Sequence, residues 1–246
     1  CRNNKNVFIF IPREFAAEKG ENMDYHFLSK TILFQGVSPE EAEQMLSCLQ
    51  AKEKMYKKDE LIFCAGDVTP ALGFVLSGSV LIESDDVWGN RSVLDRAGAG
   101  QIFADTYPSV PGERLMVNVR AAEPVRVLFL DVGKVLHVCS GACSCHNKLI
   151  RNLLSISAQK NLNLSRRILH TSSKTIRGRI LSYLSYQSMR AGSREFQIPF
   201  NRQQLADYLG VDRSAMSSEL GKMQKEGILR TERNYFCLLE QKDEYS

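Results

Sequence analysis

The fold is decided by one stretch near the C-terminus, Asn201 to Leu239: NRQQLADYLGVDRSAMSSELGKMQKEGILRTERNYFCLL. Asn201 can cap a helix, Gln204 can reach back as its capping-box partner, and Leu205 and Leu209 supply an apolar i, i+4 face. Gly210 stops that helix. Val211 then fills a turn and Asp212 offers a second N-cap. Met216, Leu220 and Met223 recur at helical spacing until Gly227 ends the second helix. Two short helices joined through a glycine turn read as a helix-turn-helix. Past Ile228 and Leu229, the alternation from Arg230 to Leu239 predicts a β-hairpin wing with its turn near Glu232 to Asn234.

The second helix leaves a particular face open. Arg213, Ser214, Ser217, Ser218 and Gly221 lie together at helical spacing, with Lys222 and Lys225 one turn further on. A helix entering the major groove of DNA needs short residues near the base edges, a long donor to read them, and cations to meet phosphate. Isolated serines and lysines usually make an ordinary solvated face. Here the turn, the caps and the wing, with Arg230 and Arg233 able to touch backbone, all favour DNA.

Charge agrees with that placement. The chain has 246 residues, enough for two domains, and a formal charge of +4. Residues 1–139 carry 15 Lys and Arg against 19 Asp and Glu, whereas residues 140–246 carry 17 against 9. The second half is therefore the half suited to a polyanion. No apolar run approaches the roughly 18 to 20 residues of a membrane span, and VFIFI at Val7 to Ile11 is too short for a signal-peptide core. A cytoplasmic protein without membrane contact is expected. The chain begins at Cys1, and residues 1–22, before the first coherent pattern at Met23, are expected to be an extension. Seven irregularly spaced cysteines argue for reduced thiols rather than a disulfide framework.

Upstream, Ser38-Pro39-Glu40-Glu41 opens a helix whose apolar stripe is Ala42, Met45, Leu46 and Leu49. From Lys54 to Leu130 the pattern changes to short β-rich runs broken by Gly, Pro or Asp, which predict a small barrel or roll. Asp85 to Asn90, holding the one Trp, reads as a hairpin tip with Trp88 folded back on the roll. From about Ala142 to His170 there is no Pro, Gly or acid, and leucines and isoleucines recur from Leu149 to Leu169. This predicts a helix on the order of 40 Å, with more apolar face than a small roll can cover, suited to a second copy of the chain. Ser172 or Ser173 is expected to cap the next helix, ending near Ala191-Gly192. The fold class is α+β: a β-roll of the jelly-roll or double-stranded β-helix type over 23–141, a long dimerisation helix over 142–170, and a winged helix-turn-helix over 171–246.

The order of parts, AGD…LGFVLSGSV, then the long helix, then SSKTIRGRILSYL and IPFNRQQLADYLGVDRSAMSSELGKM, resembles the Crp/Fnr family of bacterial transcription regulators over nearly all of residues 28–239. The resemblance implies a cyclic-nucleotide-binding-type sensor domain, a homodimer, winged helices on a near-palindromic operator, and RNA polymerase as a partner if the protein activates. It places Arg213, Ser214, Ser217 and Ser218 at base-reading positions, and Arg202 and Gln203 at backbone-contacting ones. The sensor departs from the pattern. A cyclic nucleotide needs a carboxylate for the ribose and an Arg for the phosphate, usually in Phe-Gly-Glu and Arg-Ser/Thr-Ala runs. Here the first is Phe103-Ala104-Asp105, and the second falls on Leu115-Met116-Val117 with Arg114 one residue away. An apolar pair facing a buried phosphate leaves the anion unpaired, so cyclic AMP is disfavoured. Another small-molecule effector would use the same pocket, Phe103 to Val117.

A second candidate sensor is HVCSGACSCH, where His137, Cys139, Cys143, Cys145 and His146 crowd the junction of roll and long helix. Such a set can hold zinc or an iron-sulfur cluster, supply a haem ligand through His137 or His146, or undergo thiol oxidation. Its spacing matches neither C-x-x-C nor the N-terminal cysteine set of oxygen-sensing family members, and buried cysteines are commonly structural. No Walker-type loop, Gly-x-Ser-x-Gly elbow or paired catalytic carboxylates accompany it, so no enzyme is expected. A protein-docking module without DNA binding is the remaining alternative.

Overall fold

The computed structural model describes residues 23–86, 88, 91–136 and 144–239, with 144 and 145 by their backbone alone. The chain divides into two compact units between Ala158 and Gln159, inside a single long helix.

The first unit opens with α1 (Tyr25–Ser29) and α2 (Pro39–Cys48). Helix α2 starts where the sequence places it. Ser38 Oγ accepts from the Glu41 amide at 3.2 Å and Glu41 accepts from the Ser38 amide at 2.9 Å, closing the capping box. Among the described residues eight strands follow: β1 (Lys52–Tyr56), β2 (Leu61–Phe63), β3 (Ala71–Ser77), β4 (Ser79–Asp85), β5 (Arg91–Gly98), β6 (Ile102–Phe103), β7 (Asn118–Ala121) and β8 (Val125–Asp131). They form two antiparallel sheets, ordered β1-β8-β3-β6 and β2-β7-β4-β5.

Strand periodicity explains how the first sheet is buried on both faces. Leu72 and Phe74 on β3, with Leu128 and Leu130 on β8, join the core beneath the helices. Val75, Val125 and Val127 point the other way, into the roll, where they meet Val80, Val119 and Ala121 of the second sheet. After β8 come α3 (Val132–Leu136) and α4 (Ser144–Thr171). Leu149 and Leu153 of α4 are buried in the helix-side core, and Asn152 Nδ2 donates to the carbonyls of Leu33 and Gln35, each at 2.9 Å. The tip between β4 and β5 differs from expectation: Trp88 is 84 % exposed rather than folded back on the roll.

The second unit contains the end of α4 from Gln159, then α5 (Ile176–Ala191), β9 (Glu195–Gln197), α6 (Arg202–Leu209), α7 (Arg213–Lys225), β10 (Leu229–Glu232) and β11 (Tyr235–Leu238). Its core joins Ile180, Tyr183 and Leu184 of α5 to Leu205 and Leu209 of α6 and to Met216, Leu220 and Met223 of α7. The cap of α5 is Thr175, whose hydroxyl accepts from the Gly178 amide at 3.0 Å, in place of Ser172 or Ser173. Ser172 instead donates to Leu169 O, closing the end of α4. Gly192 ends α5 with φ of 64°, the left-handed conformation that glycine adopts without Cβ strain. The wing is a three-stranded sheet ordered β10-β11-β9, and strand β9 was not read from the sequence. The α+β class, the roll, the long helix and the winged helix-turn-helix are all present.

Candidate nucleic-acid interface and sensor positions

The helix-turn-helix is built by local signals. Asn201 Oδ1 accepts from the Gln204 amide and Gln204 accepts from the Asn201 amide, both at 2.9 Å, which starts α6. Gly210, with φ of 63°, ends it. Asp212 Oδ1 accepts from the Ala215 amide at 2.8 Å and starts α7. Bonds from Ser214 and Ala215 hold the Asp212 carboxyl below the usual range, as suits an acid at a helix N-terminus. Arg179 of α5 closes the turn from behind, donating to Leu209 O at 3.1 Å and Gly210 O at 3.0 Å.

Helix α7 buries Met216, Leu220 and Met223 and exposes Arg213, Ser214, Ser217, Ser218, Lys222 and Lys225. The amphipathic split is the one its spacing requires. Two of the three serines on the open face bond locally: Ser214 donates to Asp212 Oδ1, and Ser217 to Arg213 O at 2.9 Å. The side chains of Arg213 and Ser218, both exposed, make no hydrogen bond or ion pair among the described residues. Lys222 Nζ lies 3.5 Å from Glu219 Oε2, on the edge of this face.

Beside α7, a groove of about 640 Å³ is lined by Asn201, Arg202, Gln203, Arg213, Arg233 and Asn234. It collects three of the arginines assigned to DNA, Arg202, Arg213 and Arg233, from three different elements. Arg233 sits in the wing turn with φ of 50°, an uncommon conformation outside glycine. Arg202 is half-buried: its Nη2 donates to Thr231 Oγ1 at 2.7 Å, its guanidinium lies 5.0 Å from the centre of the Phe236 ring, and its Nη1 is buried with no hydrogen-bond partner among the described residues. Burial alone pushes its pKa down. Gln203 turns along α6 to Asp207 Oδ1 at 2.8 Å.

In the roll, Phe103 is fully buried and edge-on to Phe63 at 5.9 Å. Its ring lies so close to Gly73 that a Cβ there would come within 2.1 Å. Ala104 has φ of 55°, and Asp105 is buried. Arg114 is exposed, and its Nη1 donates to Gly66 O at 2.7 Å. Leu115 is 2 % exposed and Met116 74 %, so the buried member of the segment is a leucine. Of the second sensor set, His137, Cys139 and Cys143 lie outside the described residues, as does the Cys145 side chain. His146 is buried at the start of α4.

Sequence reasoning missed two features of the second unit. Arg177 of α5 donates through Nε to Glu219 Oε1 at 2.6 Å, and through Nη1 and Nη2 to the two oxygens of Glu226 at 2.7 and 2.9 Å. His170, at the end of α4, is buried with Nδ1 2.9 Å from Tyr208 Oη, and its ring meets those of Tyr183, Tyr186 and Tyr208. The basic SSKTIRGRI run gave the only sequence signal for the first; nothing local marked the second.

Comparison with known proteins adds the following. A cyclic nucleotide-binding domain family model matches residues 53–141, and a Crp-like helix-turn-helix domain model matches residues 178–242. The chain is 29 % identical over 206 residues to the cyclic AMP receptor protein of Thermus thermophilus, covering 80 % of this chain and 88 % of that one. It is 22 % identical over 205 residues to electron transport regulator A of Shewanella oneidensis, covering 81 % and 79 %. Among solved structures, OCPA-complexed CprK superposes with a TM-score of 0.51 at 18 % identity, over 80 % of this chain and 92 % of that one, which bears on the fold alone.

Proposed function

Since the chain belongs to the Crp/Fnr family of transcription regulators, we propose that it binds a near-palindromic operator as a homodimer and regulates transcription in response to an effector sensed in the roll. One observation carries the DNA reading: α7 exposes Arg213 and three serines with lysines behind them, next to a groove holding Arg202 and Arg233. Each protomer would set α7 in a major groove, with half-sites about one helical turn apart. Arg213 is the guanine reader. Ser214, Ser217 and Ser218 make short base contacts, while Arg202, Gln203, Lys222 and Arg233 meet backbone. Among the described residues no helix is long and apolar enough to cross a membrane, and we place the protein in the cytoplasm with its DNA. RNA polymerase is the partner if it activates. The domain limits follow the sequence reading: sensor 23–141, dimerisation helix 142–170, DNA-binding domain 171–246.

The test is selection of duplexes from a random library by the full-length protein, followed by titration of the winning duplex and a scrambled one over a range of salt. A two-fold-symmetric consensus with a strong salt dependence is the expected result. Equal, weak binding of both duplexes would favour a protein-docking module.

The sensor residues do not fit a cyclic nucleotide. Leu115 is buried where the phosphate would need a cation, Arg114 is committed to Gly66 O, and the Phe103 ring closes over Gly73. A buried phosphate without a partner cation is costly. The effector is therefore a different small molecule, or a metal, haem or thiol oxidation at His137, Cys139, Cys143, Cys145 and His146. Metal analysis and native mass spectrometry of anaerobic protein separate these. Stoichiometric zinc, iron or haem assigns the Cys/His set, whereas a metal-free dimer leaves thiol oxidation at its cysteines or a small molecule in the roll.

A further inference from the structure

Helix α7 must approach a polyanion, yet it carries Glu219 on the flank next to Lys222 and is capped by a second acid, Glu226. Glu219 and Glu226 are seven residues, about two turns, apart and so share one side of the helix. Arg177 holds both from α5 with three short bonds, and the pairing pulls the Glu219 carboxyl below its usual range. Lys222 sits only 3.5 Å from the other oxygen of the same Glu219. Glu219 therefore carries Arg177 on one oxygen and Lys222 on the other, and Arg177, with the shorter bond and the planar fork, takes most of its charge and leaves Lys222 loosely held.

Resting on the DNA-binding reading above, we propose that Arg177 is a positioning residue for DNA recognition: by occupying Glu219 and Glu226 it leaves the Lys222 ammonium available to a phosphate at the edge of the reading face. Without Arg177, Glu219 captures Lys222 across one helical turn and α7 presents a carboxylate to DNA in place of a cation.

The experiment is a salt titration of duplex affinity by fluorescence anisotropy, using full-length protein and a duplex selected from a random library. Wild type comes first, because failure to bind any duplex would overturn the DNA-binding reading itself. Losing one phosphate contact lowers the slope of log affinity against log salt by about one. Lys222→Gln is expected to do this, Arg177→Gln to do the same, and the two together to lower it no further. Adding Glu219→Gln to Arg177→Gln should restore the wild-type slope. A wild-type slope in Arg177→Gln, or a further loss when Lys222→Gln is added, overturns the proposal. If Arg177→Gln does not fold, the Arg177→Gln/Glu219→Gln pair, which leaves Glu219 uncharged, carries the test. The wild-type slope supports the idea there, and a slope lower by about one sinks it.

Discussion

Arg213 and His170 occupy opposite extremes of the second unit: one side chain is free in solvent, the other enclosed by tyrosines. Arg213 has room for a bidentate contact, and such a pair is worth about 1–3 kcal/mol of discrimination between bases. Arg213→Ala is therefore expected to weaken binding to the selected duplex by about 1–3 kcal/mol while changing binding to a scrambled duplex much less. Equal losses on both would make Arg213 a phosphate contact. His170 is packed against Tyr183, Tyr186 and Tyr208, with Arg166 and Arg167 on its own helix. Burial first, and Arg166 second, push its pKa below the ordinary value. The unfolded chain, with histidine near its ordinary 6.5, then takes up the proton that the folded chain refuses, so stability falls as pH drops below about 6.5. Thermal melts between pH 7.5 and 5.5 should show that loss, and His170→Phe should flatten it. An unchanged pH dependence in the variant would remove His170 as its source.

At the scale of elements, β3 shows how a small residue makes room for an aromatic one. Gly73 alternates with Leu72 and Phe74 and so faces the roll interior, where the Phe103 ring fills the space a side chain would take. Gly73→Ala forces a shift of ring or strand, and overpacking of this kind costs about 1–3 kcal/mol. Denaturant melts of the variant should show the loss; wild-type stability would mean the ring moves freely. Helices α6 and α7, by contrast, owe their limits to caps contained in their own sequence. Asp212→Ala should cost about 1 kcal/mol through loss of the N-cap, read by the same melts.

The whole molecule is organised by α4, whose 28 residues run about 42 Å at ~1.5 Å per residue. Leu149 and Leu153 are covered by the first unit, while Leu154, Leu162, Leu164, Ile168 and Leu169 are each more than half exposed in the single chain. A second copy of the chain covers that surplus in the proposed dimer. Sedimentation of Leu164→Asp/Ile168→Asp should give monomer with weakened operator binding, and an intact dimer would move the interface elsewhere. The sequence alone determined the parts whose physics is local. The capping boxes at Ser38 and Asn201, the Asp212 cap, the apolar spacing of α7, the wing and the alternation of the roll strands all depend on residues a few positions apart, and their order supports the family. Tertiary structure decided what depends on distant partners: Arg177 reaching Glu219 across 42 residues, Arg202 reaching Thr231 across 29, and His170 reaching Tyr208 across 38. It also added β9 to the wing and left Trp88 in solvent. Local periodicity tells which face of an element is apolar, but not which polar side chain lies opposite once the elements pack, because that is set by the packing of whole helices and strands.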